Sequence, residues 1–202
     1  MSVNDSKETA AKKPSDYSDE ERYGRTRALL FALLKWLECE FFGVFIFLSL
    51  LALRVVMGRA GDIIFGVLGF ITYIMVMADF GFKEGCKARI KNDVRGDNVK
   101  RGFGMLLGIV SIVPPLLTLG VLGLSYAGAV PSAVLPFKAL NSGLWGIINL
   151  FVGDMEIAHL HPAVFAVYPV LQLILAAVTA GAFSVGFNNE DLETRLMYRK
   201  SK

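Results

Sequence analysis

The sequence predicts an all-α integral membrane protein, a bundle of four transmembrane helices with interfacial amphipathic helices. Three observations lead there. Hydrophobic residues make up 54% of the chain and the mean hydropathy is +0.51, more apolar sequence than the core of a 202-residue soluble protein could hide. Nearly uncharged apolar runs recur at 41–57, 63–82, 103–126 and 163–187, each close to the roughly 20 residues that cross a hydrocarbon core about 30 Å thick. Between the second and third runs lies a basic stretch, Lys83–Arg101. Its cations Lys83, Lys87, Arg89, Lys91, Arg95, Lys100 and Arg101 outnumber Glu84, Asp93 and Asp97, and loops dense in Lys and Arg stay on the cytoplasmic side.

Residues 1–25 are expected to form a disordered cytoplasmic tail, because they are charged, carry Pro14 and hold few large aliphatic residues to offset the entropy of ordering. The usual leader layout of a basic start, an apolar stretch and a cleavage site is missing from this region, so the first membrane segment is expected to stay in the mature protein. Ser18 and Glu21 have the spacing of a capping box, which predicts a helix start. The membrane domain is then expected over 26–187. Lys35, Glu38 and Glu40 would each cost about 2.5–3.5 kcal/mol near the bilayer centre, which predicts an interfacial helix over 26–40 with Trp36 at headgroup depth.

The first crossing, 41–57, barely spans the core, and Arg54 reaches outward from its far end. Gly58-Arg59-Ala60-Gly61 is short enough only for a tight hairpin into the second crossing, 63–82. Near the inner end of that crossing, Asp79 and Lys83 are spaced to pair across one helical turn. Pro114-Pro115 falls in the middle of the third crossing, 103–126, where missing backbone donors and ring clashes predict a kink. Phe137, Leu140, Leu144, Ile148 and Phe151 then recur at helical spacing among Lys138, Asn141, Ser142 and Asn149, which predicts an outer interfacial helix. The fourth crossing is 163–187, with Pro169 inside it, and 188–202 is expected to be a cytoplasmic tail. With both termini inside, every Lys and Arg except Arg54, Arg59 and Lys138 lies on the cytoplasmic side, as the positive-inside rule requires.

Sites are sparse. His159 and His161 stand near Asp154 and Glu156, ligand types that zinc or copper accepts, although the spacing matches no metalloprotease helix motif and a solvated loop is the plainer reading. Gly104 with Gly108, and Ala177 with Gly181, have the small-xxx-small spacing that lets membrane helices approach closely. Cys39 and Cys86 sit on predicted cytoplasmic segments, so neither a disulfide nor a zinc site is expected of them. No Walker loop, GxGxxG, GxSxG elbow or CxxC occurs; no catalytic residue and no cofactor is assigned.

The run DFGFKEGCKARIKNDVRGDNVKRGFGMLLGIVSIVPP, through Gly85, Asp97, Lys100, Gly102, Gly108 and Pro114, resembles a pattern in small uncharacterised multi-pass membrane proteins of Gram-positive bacteria. That resemblance implies a topology and no activity. The expected function is therefore a non-enzymatic accessory or scaffold subunit. It would meet partners through helix faces, as a homo- or hetero-oligomer, and anionic lipid headgroups through the seven cations of 83–101; no nucleic acid is expected. Transport through the Pro-interrupted helices is the rival reading, and a membrane enzyme built on 154–161 the third.

Overall fold

The computed structural model describes residues 24–153 and 156–188, with the side chains of Leu53, Arg54 and Arg95 left aside. Of the predicted tails, 1–25 and 188–202, only Gly24, Arg25 and Asn188 are described, and Arg25 already opens the first helix; the Ser18 cap and Asp154 lie outside the described residues. Those described form helices joined by turns and short loops, without strands. The helices are α1 (Arg25–Met57), α2 (Arg59–Arg95), α3 (Phe103–Ser111), α4 (Val113–Tyr126), α5 (Val134–Ala139), α6 (Trp145–Asn149) and α7 (Val164–Phe187). Among the described residues, three stretches are long and apolar enough to cross a membrane: Arg59–Val94, Phe103–Tyr126 and Val164–Phe187.

Helix α1 runs without interruption through 26–40 and 41–57, so the segment expected to lie along the interface is one rod with the first apolar run. Its sequence holds no proline and a single glycine, Gly43, so it contains no strong helix breaker. The hairpin into α2 is tighter than expected. Gly58 alone makes it, at φ 55°, a left-handed conformation that favours glycine. Helix α2 also outruns its predicted end: most of the basic stretch is helical to Arg95, and the chain turns only at Gly96, φ 72°. Ion pairs at helical spacing line this extension, Lys83–Asp79 at 2.7 Å, Lys87–Glu84 at 2.6 Å and Arg89–Asp93 at 3.3 Å, the first of them as the spacing predicts. Beyond it the Asn92 side chain clamps Val99 through both backbone groups, at 2.8 and 3.0 Å. The Arg25 guanidinium donates to the Asn98 carbonyl at 2.7 Å, fixing the start of α1 beside this turn.

The third apolar run is broken where proline demands it. Helix α3 stops at Ser111 and α4 starts at Val113, because Pro114 and Pro115 carry no N–H for the carbonyls four residues earlier. Helix α7 is the element on which α2 and α3 pack, and small residues make that possible. A Cβ on Gly85 would stand 2.2 Å from the Phe183 carbonyl, one on Gly186 2.2 Å from that of Phe82, and one on Gly108 2.3 Å from that of Ala176. Backbone against backbone is how helices gain contact where lipid supplies no hydrophobic drive. One core cluster at the Arg25 end gathers Ala28, Phe80, Ala88, Leu107 and Phe183; a larger one gathers Tyr73, Leu122, Phe137, Leu144, Ile148 and Tyr168.

Candidate functional site in a buried polar seam

The segment 134–152 does not lie on the surface as one amphipathic helix. It dips between α1, α2, α4 and α7 and returns. At its start the Ala133 N–H is held by Ser125 Oγ near the end of α4, at 3.0 Å, and further in Asn141 reaches Thr118 Oγ1 at 2.9 Å. After a tight turn at Ser142–Leu144 the chain climbs back along α2. Gly143 lies against the Tyr73 ring and Gly69, Gly146 against the backbone of Asp62 and Gly66, and Asn149 Nδ2 donates to Asp62 Oδ1 at 3.1 Å. The Lys138 ammonium, 1% exposed, closes the hairpin by donating to the Val152 carbonyl at 2.6 Å.

The physical reason is that three short elements, Val134–Ala139, Ser142–Leu144 and Trp145–Asn149, replace one helix. Pro131 and Pro136 interrupt its approach, and Gly143 and Gly146 remove the side chains that would keep its turn away from α2. The periodicity of Phe137, Leu144 and Ile148, which suggested a surface helix, instead fills the core: all three are buried, together with Asn141 and Ser142.

Glu40 is the centre of the seam. Expected at the interface, it is 8% exposed and accepts from the Tyr73 hydroxyl, from the Ser142 N–H at 2.6 Å and from Ser142 Oγ at 2.9 Å. These partners are neutral. A charge taken out of water is tolerated only with such donors, and here they come from α2 and from the turn of the dipping segment, so the carboxylate ties three parts of the chain together. One layer further, the Tyr168 hydroxyl donates to Asn141 Oδ1, while Asn141 Nδ2 also donates to the Phe137 carbonyl at 2.7 Å. Tyr73 falls midway along the apolar run 63–82.

Beneath this layer, on the side of the α3–α4 break, lies a cavity of about 10 Å³ lined by Trp36, Cys39, Tyr73, Met77, Ser111 and Gln172 among others. Among the described residues the buried Trp36 Nε1 has no hydrogen-bond partner, while the Gln172 side chain is in hydrogen-bonding reach of the Tyr168 hydroxyl.

The residues singled out from sequence fall elsewhere. Gly104 and Gly108 are buried against Phe183 and Ala176 of the same chain, whereas Ala177 and Gly181 are exposed, and no atom lies within 4 Å of a Cβ on Gly181. Lys83, Lys87, Lys100 and Arg101 are exposed at the Arg25 end, with Arg89 and Lys91 half-buried beside them. His159 and His161 are exposed; Glu156 Oε2 is 3.9 Å from His159 Nδ1, and His161 Nδ1 accepts from the Ala163 N–H at 3.2 Å. Among the described residues no group of three or more His, Cys, Asp or Glu side chains is placed to hold a metal.

Sequence reasoning missed Glu40, Tyr73, Asn141, Ser142, Tyr168 and Gln172. A signal existed: Tyr73, Tyr168 and Gln172 are polar groups inside otherwise apolar crossings, where such groups are costly and seek partners. No protein-family model, curated protein or solved structure matches the chain.

Proposed function

We propose that the protein is a multi-pass membrane protein that passes a small cation, the proton included, by way of Glu40. In this reading α1 is a fourth crossing, both termini are cytoplasmic, and the segment 134–152 is a re-entrant hairpin entering from outside. The observation that carries the proposal is the Glu40 carboxylate, met by neutral donors beside two interrupted elements, the dipping hairpin and the Pro114-Pro115 break. Carboxylates at membrane depth mark ion paths and proton relays, and broken helices near the midplane are where transporters place their sites.

The test is reconstitution. Vesicles containing the protein should take up radioactive rubidium, or acidify a trapped pH-sensitive dye under an imposed potential, faster than protein-free vesicles. Equal rates for both probes would remove the proposal.

A second reading is favoured by the way Glu40 is held, its carboxylate accepting from the Tyr73 hydroxyl and the Ser142 N–H while the Ser142 hydroxyl reaches both its carboxylate and its backbone carbonyl. The seam is then a pin that locks the hairpin, and the protein is an accessory subunit with partners at its helix faces. In either reading the exposed cations Lys83, Lys87, Lys100 and Arg101 support contact with anionic headgroups, each worth about 1 kcal/mol near the surface.

A further inference from the structure

We infer, on the reading that Glu40 passes a cation, that this cation is the proton, and that Glu40 takes it up against the Ser142 hydroxyl. That hydroxyl stands 2.9 Å from the Glu40 backbone carbonyl and 2.9 Å from the carboxylate Oε2. A hydroxyl has one hydrogen, and it can align with only one of these acceptors. Aligned with the carbonyl, it leaves Ser142 Oγ and Glu40 Oε2 as two lone-pair atoms in contact. A proton on Oε2 joins them.

The step balances within these groups. On uptake an O–H bond forms at Oε2 and donates to Ser142 Oγ, while the serine hydrogen turns to the Glu40 carbonyl. Release breaks that O–H bond and returns the serine hydrogen to the carboxylate. The Tyr73 hydroxyl and the Ser142 N–H keep their places on Oε1 and Oε2 throughout. Both charge states are therefore hydrogen-bonded, which a buried group needs if it is to change its charge without orphaning a partner. Among the described residues the titratable groups facing the carboxylate are Tyr73 on α2, Tyr168 on α7 and Cys39 beside it on α1, none of them a cation. Lys35, earlier on α1, is paired with Glu38.

A metal cation meets the opposite of what it needs. Hard cations are held by oxygen lone pairs, whereas Oε2 faces the Ser142 N–H at 2.6 Å with the Gly143 N–H in reach of the carboxylate. A backbone N–H offers no lone pair and cannot turn away. The cavity beside Tyr73, about 10 Å³, holds at most one water, too little for a hydrated ion.

Infrared difference spectroscopy of the full chain in vesicles, recorded as the pH is lowered, reads the carboxyl directly. The expected result is a protonated-carboxyl C=O band that appears in the native protein, disappears in Glu40→Gln and moves in Ser142→Ala, with acidification of a trapped dye and no rubidium uptake in the same vesicles. No such band at any pH at which the protein stays folded, or a band unchanged in whichever variant folds, would overturn the inference. Rubidium uptake that is lost in Glu40→Gln would overturn it too and leave the wider cation reading standing; the absence of both fluxes would remove the two together.

Discussion

The carbonyl of Gly143 lies 1.9 Å from where a Cβ on Gly69 would stand. The turn of the hairpin therefore rests directly on the α2 backbone, and any side chain at 69 must push it away. Gly69→Ala is expected to lower stability by about 1–3 kcal/mol, as overpacking does, read as a lower midpoint of thermal unfolding in detergent. Gly181→Ala, where no neighbour lies within 4 Å, should leave the midpoint unchanged or raise it slightly through helix propensity.

Glu40 joins α1, α2 and the hairpin turn, so its donors should be coupled in energy. Tyr73→Phe removes one bond to the carboxylate and is expected to cost about 1.5–3 kcal/mol, the usual range for a bond to a charged group. Glu40→Leu should cost more, because it orphans the Ser142 N–H and the Tyr73 hydroxyl together. In a double-mutant cycle by denaturant titration, strict additivity of Tyr73→Phe and Glu40→Leu would contradict the contact.

Gly108 packs on the Ala176 backbone of its own chain. Gly108→Leu is therefore expected to destabilise the single chain by about 1–3 kcal/mol while leaving its oligomeric state, measured by light scattering, as it was. Dissociation of an otherwise stable oligomer would instead place that glycine at a subunit contact.

Topology has its own test. In a background lacking Cys39 and Cys86, a cysteine at the exposed Ser132 should react with an impermeant thiol reagent from outside, and one at the exposed Asn98 should not. A cysteine at Ser142, 2% exposed, should stay unlabelled from both sides; rapid labelling there would show that the hairpin does not dip.

The proline break in the third apolar run, the glycine-tight hairpin at 58 and the helix over 164–187 were legible because each rests on local chemistry: a missing N–H, a left-handed φ, an apolar run of sufficient length. Glu40 was not legible. Judged alone, a carboxylate beside an apolar run belongs at the interface, and its true partner, Ser142, is more than a hundred residues away. The hairpin was hidden for a related reason. The spacing of Phe137, Leu144 and Ile148 says that one face is apolar, and it reads the same whether that face meets lipid or the inside of a bundle. The charge density of the stretch after Phe82 predicts a loop, yet Glu84 with Lys87 and Arg89 with Asp93 carry the i,i+3 and i,i+4 spacings that sustain a helix.

Cation flux through vesicles bearing Glu40 variants tests the central claim most directly. If the carboxylate carries the cation, Glu40→Gln, which keeps the shape and an acceptor oxygen, abolishes rubidium or proton flux in folded protein, and Glu40→Asp retains part of it. Flux through Glu40→Gln equal to that of the native chain would contradict the account and leave Glu40 as a structural pin.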